Sequence, residues 1–345
     1  MSRRTATLAF AGAILVVLVA VAALLPVPFV VYSPGPMANA LGDDVISVDG
    51  AETFETDGVL NLTTVGVTPA DARVDLLSAL RAWVDPERAI VPRDRVYGPD
   101  DTSESIREEN AQFMQRSQET AKVAALREVG YDVPETVVIE RVLNGSPADG
   151  TLEPGDVVEE VDGEPVTTPQ DVVNAVQAHE PGETVEVAVN RGGESLTLTV
   201  DSVESDEGHA QVGAGVAIGY DLPVQVDVNI PERIGGPSAG MIFALAIYDT
   251  LTPGAMLEGL RVAGTGEING DGEVGPIGGI EQKIAAAADD DIEMFLAPAS
   301  NCDDVAGAEN GDMRVVSIGT LDDAIEAVEA IANGDVSSLP RCAVS

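Results

Sequence analysis

The chain of 345 residues has room for two or three domains, and with 45% hydrophobic residues it can build real cores. Eighteen lysines and arginines against 59 acids leave a net charge of -41, so little would neutralise nucleic-acid phosphates and no nucleic-acid partner is expected. With two histidines, two lysines and two cysteines in all, a histidine-rich zinc centre and a C-x-x-C pair are ruled out. Because Val123 and Ile284 follow the lysines, there is also no Gly-Lys-Ser/Thr loop for ATP. No metal and no cofactor is expected.

In chain order, the first element is an uncharged run from Leu8 to Leu25, extended by apolar residues to Val31. That length predicts a single membrane span of about 30 Å. Arg3 and Arg4 precede it, which sets the N-terminus in the cytoplasm and exports the rest, with residues 1–33 as a signal anchor. Cleavage at the small-residue site Ala38-Asn39-Ala40 is the rival reading. The Ser-Pro-Gly-Pro stretch after Tyr32 reads as a linker. Strands are then expected at 45–48 and 59–65, a helix at 74–84, and a long helix at 103–128. This exported segment, 34–120, carries no chemical signature.

From Val137 the pattern becomes alternating apolar strands punctuated by Gly and Pro. Asp162-Gly163 predicts a hairpin turn, and Thr168-Pro169 opens a helix with Val172, Val173 and Val176 as its apolar stripe. Two further strands are expected at 184–190 and 196–200. The strings Gly-Ser-Pro-Ala148 and Pro-Gly-Asp-Val-Val…Val-Asp-Gly-Glu-Pro-Val166 resemble a bacterial PDZ domain over about residues 121–206. That resemblance implies a groove that takes a C-terminal peptide as an added strand. Gly130, Tyr131 and Val133 would form its carboxylate loop before strand 136–142, and Val172 and Val176 its helical wall.

The chemistry lies further on, after strands expected at 212–218 and 224–230. In Gly235-Gly-Pro-Ser-Ala-Gly240, Pro237 suits the first turn of a helix that is apolar nearly all round. Ser238 would sit at its positive end, either as a plain cap or as a nucleophile with oxyanion donors at hand. In Ile277-Gly-Gly-Ile-Glu-Gln-Lys283, the lysine has Gly279, Ile280, Ala286 and Ala287 at the three- and four-residue spacings. A surface lysine in so acidic a chain would face a carboxylate. Lys283 is therefore expected in an apolar site that lowers its pKa.

Together with Ala263-Gly-Thr-Gly-Glu-Ile268, these strings resemble the proteolytic domain of Lon proteases over about residues 208–335, which sets a Lon-like domain at 207–345. The resemblance implies Ser238 as nucleophile, Lys283 as general base and Thr265 as a hydrogen-bond partner of the lysine. The expected fold is an α+β multidomain chain: transmembrane helix, PDZ-like domain, Lon-type domain. The expected function is an ATP-independent, membrane-anchored serine endopeptidase acting on exported unfolded or tail-presenting proteins. Homo-oligomerisation is implied by resemblance alone. A catalytically silent PDZ scaffold is the alternative. Cys302 and Cys342 both fall in the exported part, so a disulfide between them is chemically permitted, against two free thiols.

Overall fold

Proline decides where the first helix stops. In this computed structural model, which describes the backbone of residues 3–231, 233–305, 311, 313–335 and 339–342, helix α1 spans Arg3–Leu24. Pro26 and Pro28 cannot continue it, and the chain turns into strand β1 (Phe29–Asn39). The apolar residues up to Val31 thus belong to a sheet and not to an extended span. Among the described residues no helix is long and apolar enough to cross a membrane.

The stretch expected as a linker is also part of β1. It pairs antiparallel with β2 (Val59–Val67), with a bulge between Pro34 and Met37. The prolines are tolerated because the strand on the other side, β3 (Ala89–Pro92), covers only Phe29–Tyr32. Between β2 and β3 lies helix α2 (Leu76–Val84), capped by Asp75. Helix α3 (Ser103–Val129) follows, opened by a capping box between Thr102 and Ser105 and closed by Gly130 in the left-handed conformation.

The chain divides into two units: residues 1–131 together with 224–345, and residues 132–223. The segment expected to stand alone at 34–120 is thus one half of a larger unit. The second unit is inserted between the halves. It contains β4 (Glu135–Val142), β5 (Val157–Val161), α4 (Pro169–Gln177), β6 (Thr184–Arg191), β7 (Glu194–Asp201) and β8 (Ala214–Tyr220). Their sheet order is β7-β6-β5-β4-β8. Val185, Val187 and Val189 point inward at every second position and meet Val137, Ile139, Val158, Val172 and Val176 in the core. Asp162 (φ 52°) and Gly163 (φ 78°) form the expected hairpin turn. Strand β8 was expected in the following domain, but it pairs with β4 from Ala214↔Val142 to Tyr220↔Glu135.

The last part of the chain returns to the first unit with α5 (Gly240–Leu251), β9 (Arg261–Gly264), α6 (Ile280–Ala288), β10 (Met294–Pro298), β11 (Arg314–Ile318) and α7 (Leu321–Ala332). Its sheet runs β11-β10-β9-β2-β1-β3. Strands β2, β9, β10 and β11 are parallel, which requires crossovers such as α6 between β9 and β10. Met241 to Ile247 of α5 are wholly buried, as an all-round apolar helix must be. A Cys302–Cys342 disulfide joins the turn after β10 to the C-terminal stretch, which lies along β11 through Ser317 N–H to Pro340 O, 3.0 Å.

Candidate active site

Helix α5 begins at Gly240 with Ala239 as its N-cap, so Ser238 precedes the helix instead of sitting in its first turn, and Pro237 lies outside as well. The reason is Gly236, whose φ of +90° turns the chain just before them. The turn is held from two sides. Ser238 O accepts from Gly266 N–H (2.8 Å) and Thr265 Oγ1 (2.9 Å), at the end of β9. On the other side, Pro237 O accepts from Ser117 Oγ (2.9 Å) and Gly236 N–H donates to Asn110 O (2.9 Å), both on α3.

Lys283 reaches the same point from α6. That helix starts at Gly279 with φ +70°, where a side chain would be strained and would also press on Val65 of β2. Lys283 is 1% exposed. Its Nζ donates to Ser238 Oγ at 2.7 Å and to Thr265 Oγ1 at 2.8 Å. Burial pushes the amine's pKa down to about 7, against the opposing pull of the Glu267 carboxylate. Near neutral pH a sizeable fraction is therefore neutral amine, whose lone pair can accept the Ser238 proton. Ser238, Lys283 and Thr265 are brought together.

Of the residues expected to bind peptide, Val172 and Val176 pack together in the core of the second unit. Gly130 and Tyr131 close α3 through N–H bonds to Leu126 O and Arg127 O, and belong to the first unit. Val133, Val172 and Val176 are buried, at 3%, 7% and 7% exposure. Strand β4 has no free edge: β5 pairs it on one side and β8 on the other. Strand β8 stands last in the sheet order, and α4 packs beside it. The other titratable groups set aside by the sequence have plain roles. Lys122 pairs with Glu119 at 2.8 Å, and His179 Nε2 lies 2.7 Å from Asp162.

Sequence reasoning missed Ser117, Asn110 and Glu267. Glu267 was in the quoted motif without a role. Nothing in the sequence around Ser117 or Asn110 marks them, because their contacts cross more than 110 positions of chain.

The site has the groups of a serine peptidase, and comparison with known proteins shows similarity to a proteolytic domain. Residues 191–330 match the Lon protease (S16) C-terminal proteolytic domain, and residues 111–201 match the PDZ domain. Lon protease of Campylobacter concisus is 34% identical over 125 residues, covering 35% of this chain and 15% of that protein. Lon protease of Lachnoclostridium phytofermentans is 30% identical over 163 residues, covering 42% and 20%. Lon protease of Aquifex aeolicus is 40% identical over 85 residues, covering 24% and 10%. The chain thus spans a fifth or less of the length of these relatives. Among solved structures, the PDZ domain of an SdrC-like protein from Listeria monocytogenes overlaps with a TM-score of 0.23 at 20% identity, covering 24% of this chain and 87% of that one.

Proposed function

We propose that the protein is a serine endopeptidase in which Ser238 is the nucleophile and Lys283 its general base. The observation that carries this reading is the 2.7 Å contact between Lys283 Nζ and Ser238 Oγ around an amine that is 1% exposed. The neutral amine takes the hydroxyl proton as Oγ bonds to the peptide carbonyl carbon. The resulting ammonium returns that proton to the leaving amine as the C–N bond breaks. Water, deprotonated by the same amine, then bonds to the acyl carbon, and the ammonium returns its proton to Ser238 Oγ as the Oγ–C bond breaks. Thr265 holds Nζ in line, and the positive end of α5 supports the developing oxyanion.

Substrates in this reading are unfolded or tail-presenting exported proteins, cleaved without ATP. The inserted unit delivers them by accepting an extended tail beside α4 at the end of the sheet, where Ile218 of β8 is 51% exposed. Helix α1 seats the chain in a bilayer, with the catalytic unit on the exported side. Support comes from its apolar side chains, of which Phe10, Val16, Leu18 and Leu24 are 59–81% exposed. Pelleting with membranes after an alkaline carbonate wash tests the seating, and a soluble chain would sink it. Light scattering reads the homo-oligomer that the Lon resemblance implies.

A fluorophosphonate probe tests the chemistry. Labelling of the purified chain should fall on Ser238 and vanish in both Ser238→Ala and Lys283→Ala. Labelling that survives in folded Lys283→Ala removes the lysine from the mechanism.

A further inference from the structure

Helix α2 is built inside out. Its buried residues are the small Ala79 and Ala82, whereas Leu80, Trp83 and Val84 are 47%, 74% and 73% exposed. Positions 80, 83 and 84 share one side of a helix, so these large apolar groups form a single outward face. A helix that faced only water would reverse this arrangement. Trp83 is the only tryptophan in the chain, and its ring type favours the boundary between hydrocarbon and water.

The charge around α2 departs from the rest of the protein. Five of the 18 basic residues, Arg73, Arg81, Arg88, Arg93 and Arg95, fall between positions 73 and 95. Arg73, Arg81 and Arg95 are exposed and have no salt-bridge partner among the described residues, in a chain that holds 59 acids. Arg73 and Arg88 also line an open cleft of about 430 Å³ with the hydroxyls of Ser33, Thr68 and Ser78. The acid in its wall, Asp75, is already engaged by the Ser78 N–H and hydroxyl at 2.9 and 2.6 Å.

Position completes the picture. Leu76 N–H donates to Leu25 O at 2.9 Å, and Pro26–Val27 pairs with Val74–Asp75, so α2 starts one hydrogen bond from the end of α1.

We propose that α2 and the cleft beside it are a docking surface for a bilayer containing anionic phospholipid. Leu80, Trp83 and Val84 enter the acyl boundary, and Arg73 and Arg81 meet headgroup phosphates, whereas Arg88 is held by Asp85 at 3.1 Å. The inference rests on the reading of α1 as membrane-seated and adds that the unit carrying Ser238 lies against the bilayer instead of hanging from a tether. A second copy of the chain is a poor occupant, because each copy brings a net charge of -41. The attraction is local, since salt screens the remaining acids beyond about 8–10 Å.

Trp83 is a built-in reporter of this contact. The full chain is reconstituted in vesicles of phosphatidylcholine with phosphatidylglycerol, and flotation after a carbonate wash separately reports α1. Trp83 should resist acrylamide and be quenched by phospholipids brominated near the headgroup. The pair Arg73→Gln and Arg81→Gln, and separately Leu80→Glu, should lose that protection severalfold while the chain still floats. A chain that floats with Trp83 open to acrylamide and untouched by brominated lipid overturns the docking and leaves α1 standing. A chain that does not float overturns both. Trp83 protected only on self-association, without lipid quenching, assigns the face to a second copy and overturns the proposal.

Discussion

The Ser117 hydroxyl donates to the Pro237 carbonyl at 2.9 Å across 120 positions of sequence. Helix α3 thereby fixes the peptide unit next to Ser238 although it contributes nothing to the chemistry. Ser117→Ala removes the donor from a 5% exposed position, a loss of about 1–2 kcal/mol. Fluorophosphonate labelling should slow by about tenfold, with its pH midpoint unchanged, and Ser117→Thr should recover most of the rate. An unaltered rate in the alanine variant means the contact is ornamental.

Activity should rise with pH through about 7 as Lys283 loses its proton, and level off above. Lys283→Arg should be as inactive as Lys283→Ala, because a guanidinium does not deprotonate in this range. Stability carries the same signature. Between about pH 7 and 10.5 the unfolded lysine is charged and the folded one neutral. The unfolded state then binds more protons, and stability rises with pH across that window, by of order 4 kcal/mol. Urea titrations at several pH values should show the rise in the wild type and lose it in Lys283→Met.

Thr265 Oγ1 accepts from Lys283 Nζ and donates to Ser238 O, so it ties Lys283 to the backbone of Ser238. Thr265→Ser keeps the hydroxyl and should keep most activity. Thr265→Val should cost about tenfold to a hundredfold in kcat and move the pH midpoint downward, since the ammonium loses an acceptor. Equal activity in the two variants would reject the positioning role.

Asp249 lies fully buried on α5, with Oδ1 accepting from Met256 N–H at 2.8 Å and no described partner for Oδ2. Burial pushes its pKa up to about 6. Between pH 3.8 and about 6 the folded state keeps a proton that the unfolded state has released, so stability falls as pH rises there. Asp249→Asn should abolish that fall and stabilise the protein above pH 6 by about 2–3 kcal/mol. A variant less stable than the wild type at pH 7 contradicts the assignment.

Replacing residues 132–223 by a flexible linker follows the unit boundary and should leave Ser238 labelling intact while reducing cleavage of tail-bearing proteins far more than of short peptides. Deleting 130–200 instead strips β8 of its partner β4 and should yield an aggregating product. Loss of labelling in the linker variant with retained near-native circular dichroism would make the inserted unit part of the catalytic assembly.

Local chemistry is what the sequence by itself determined. The Ser238 and Lys283 motifs, the Asp162-Gly163 turn, the Thr168 cap and the all-apolar α5 are set by neighbouring residues, through backbone freedom, capping and side-chain periodicity, and each is readable within a dozen positions. Only the tertiary structure decided that β1 and β2, far upstream, share a sheet with β9 to β11, that β8 belongs with β4, and that α3 braces the serine. Strand pairing is made by backbone groups that every residue carries, so partner choice between distant strands leaves little trace in side-chain pattern. The bulge at Pro34–Met37 hides β1 further, because the residues that usually end a strand sit where one edge is open.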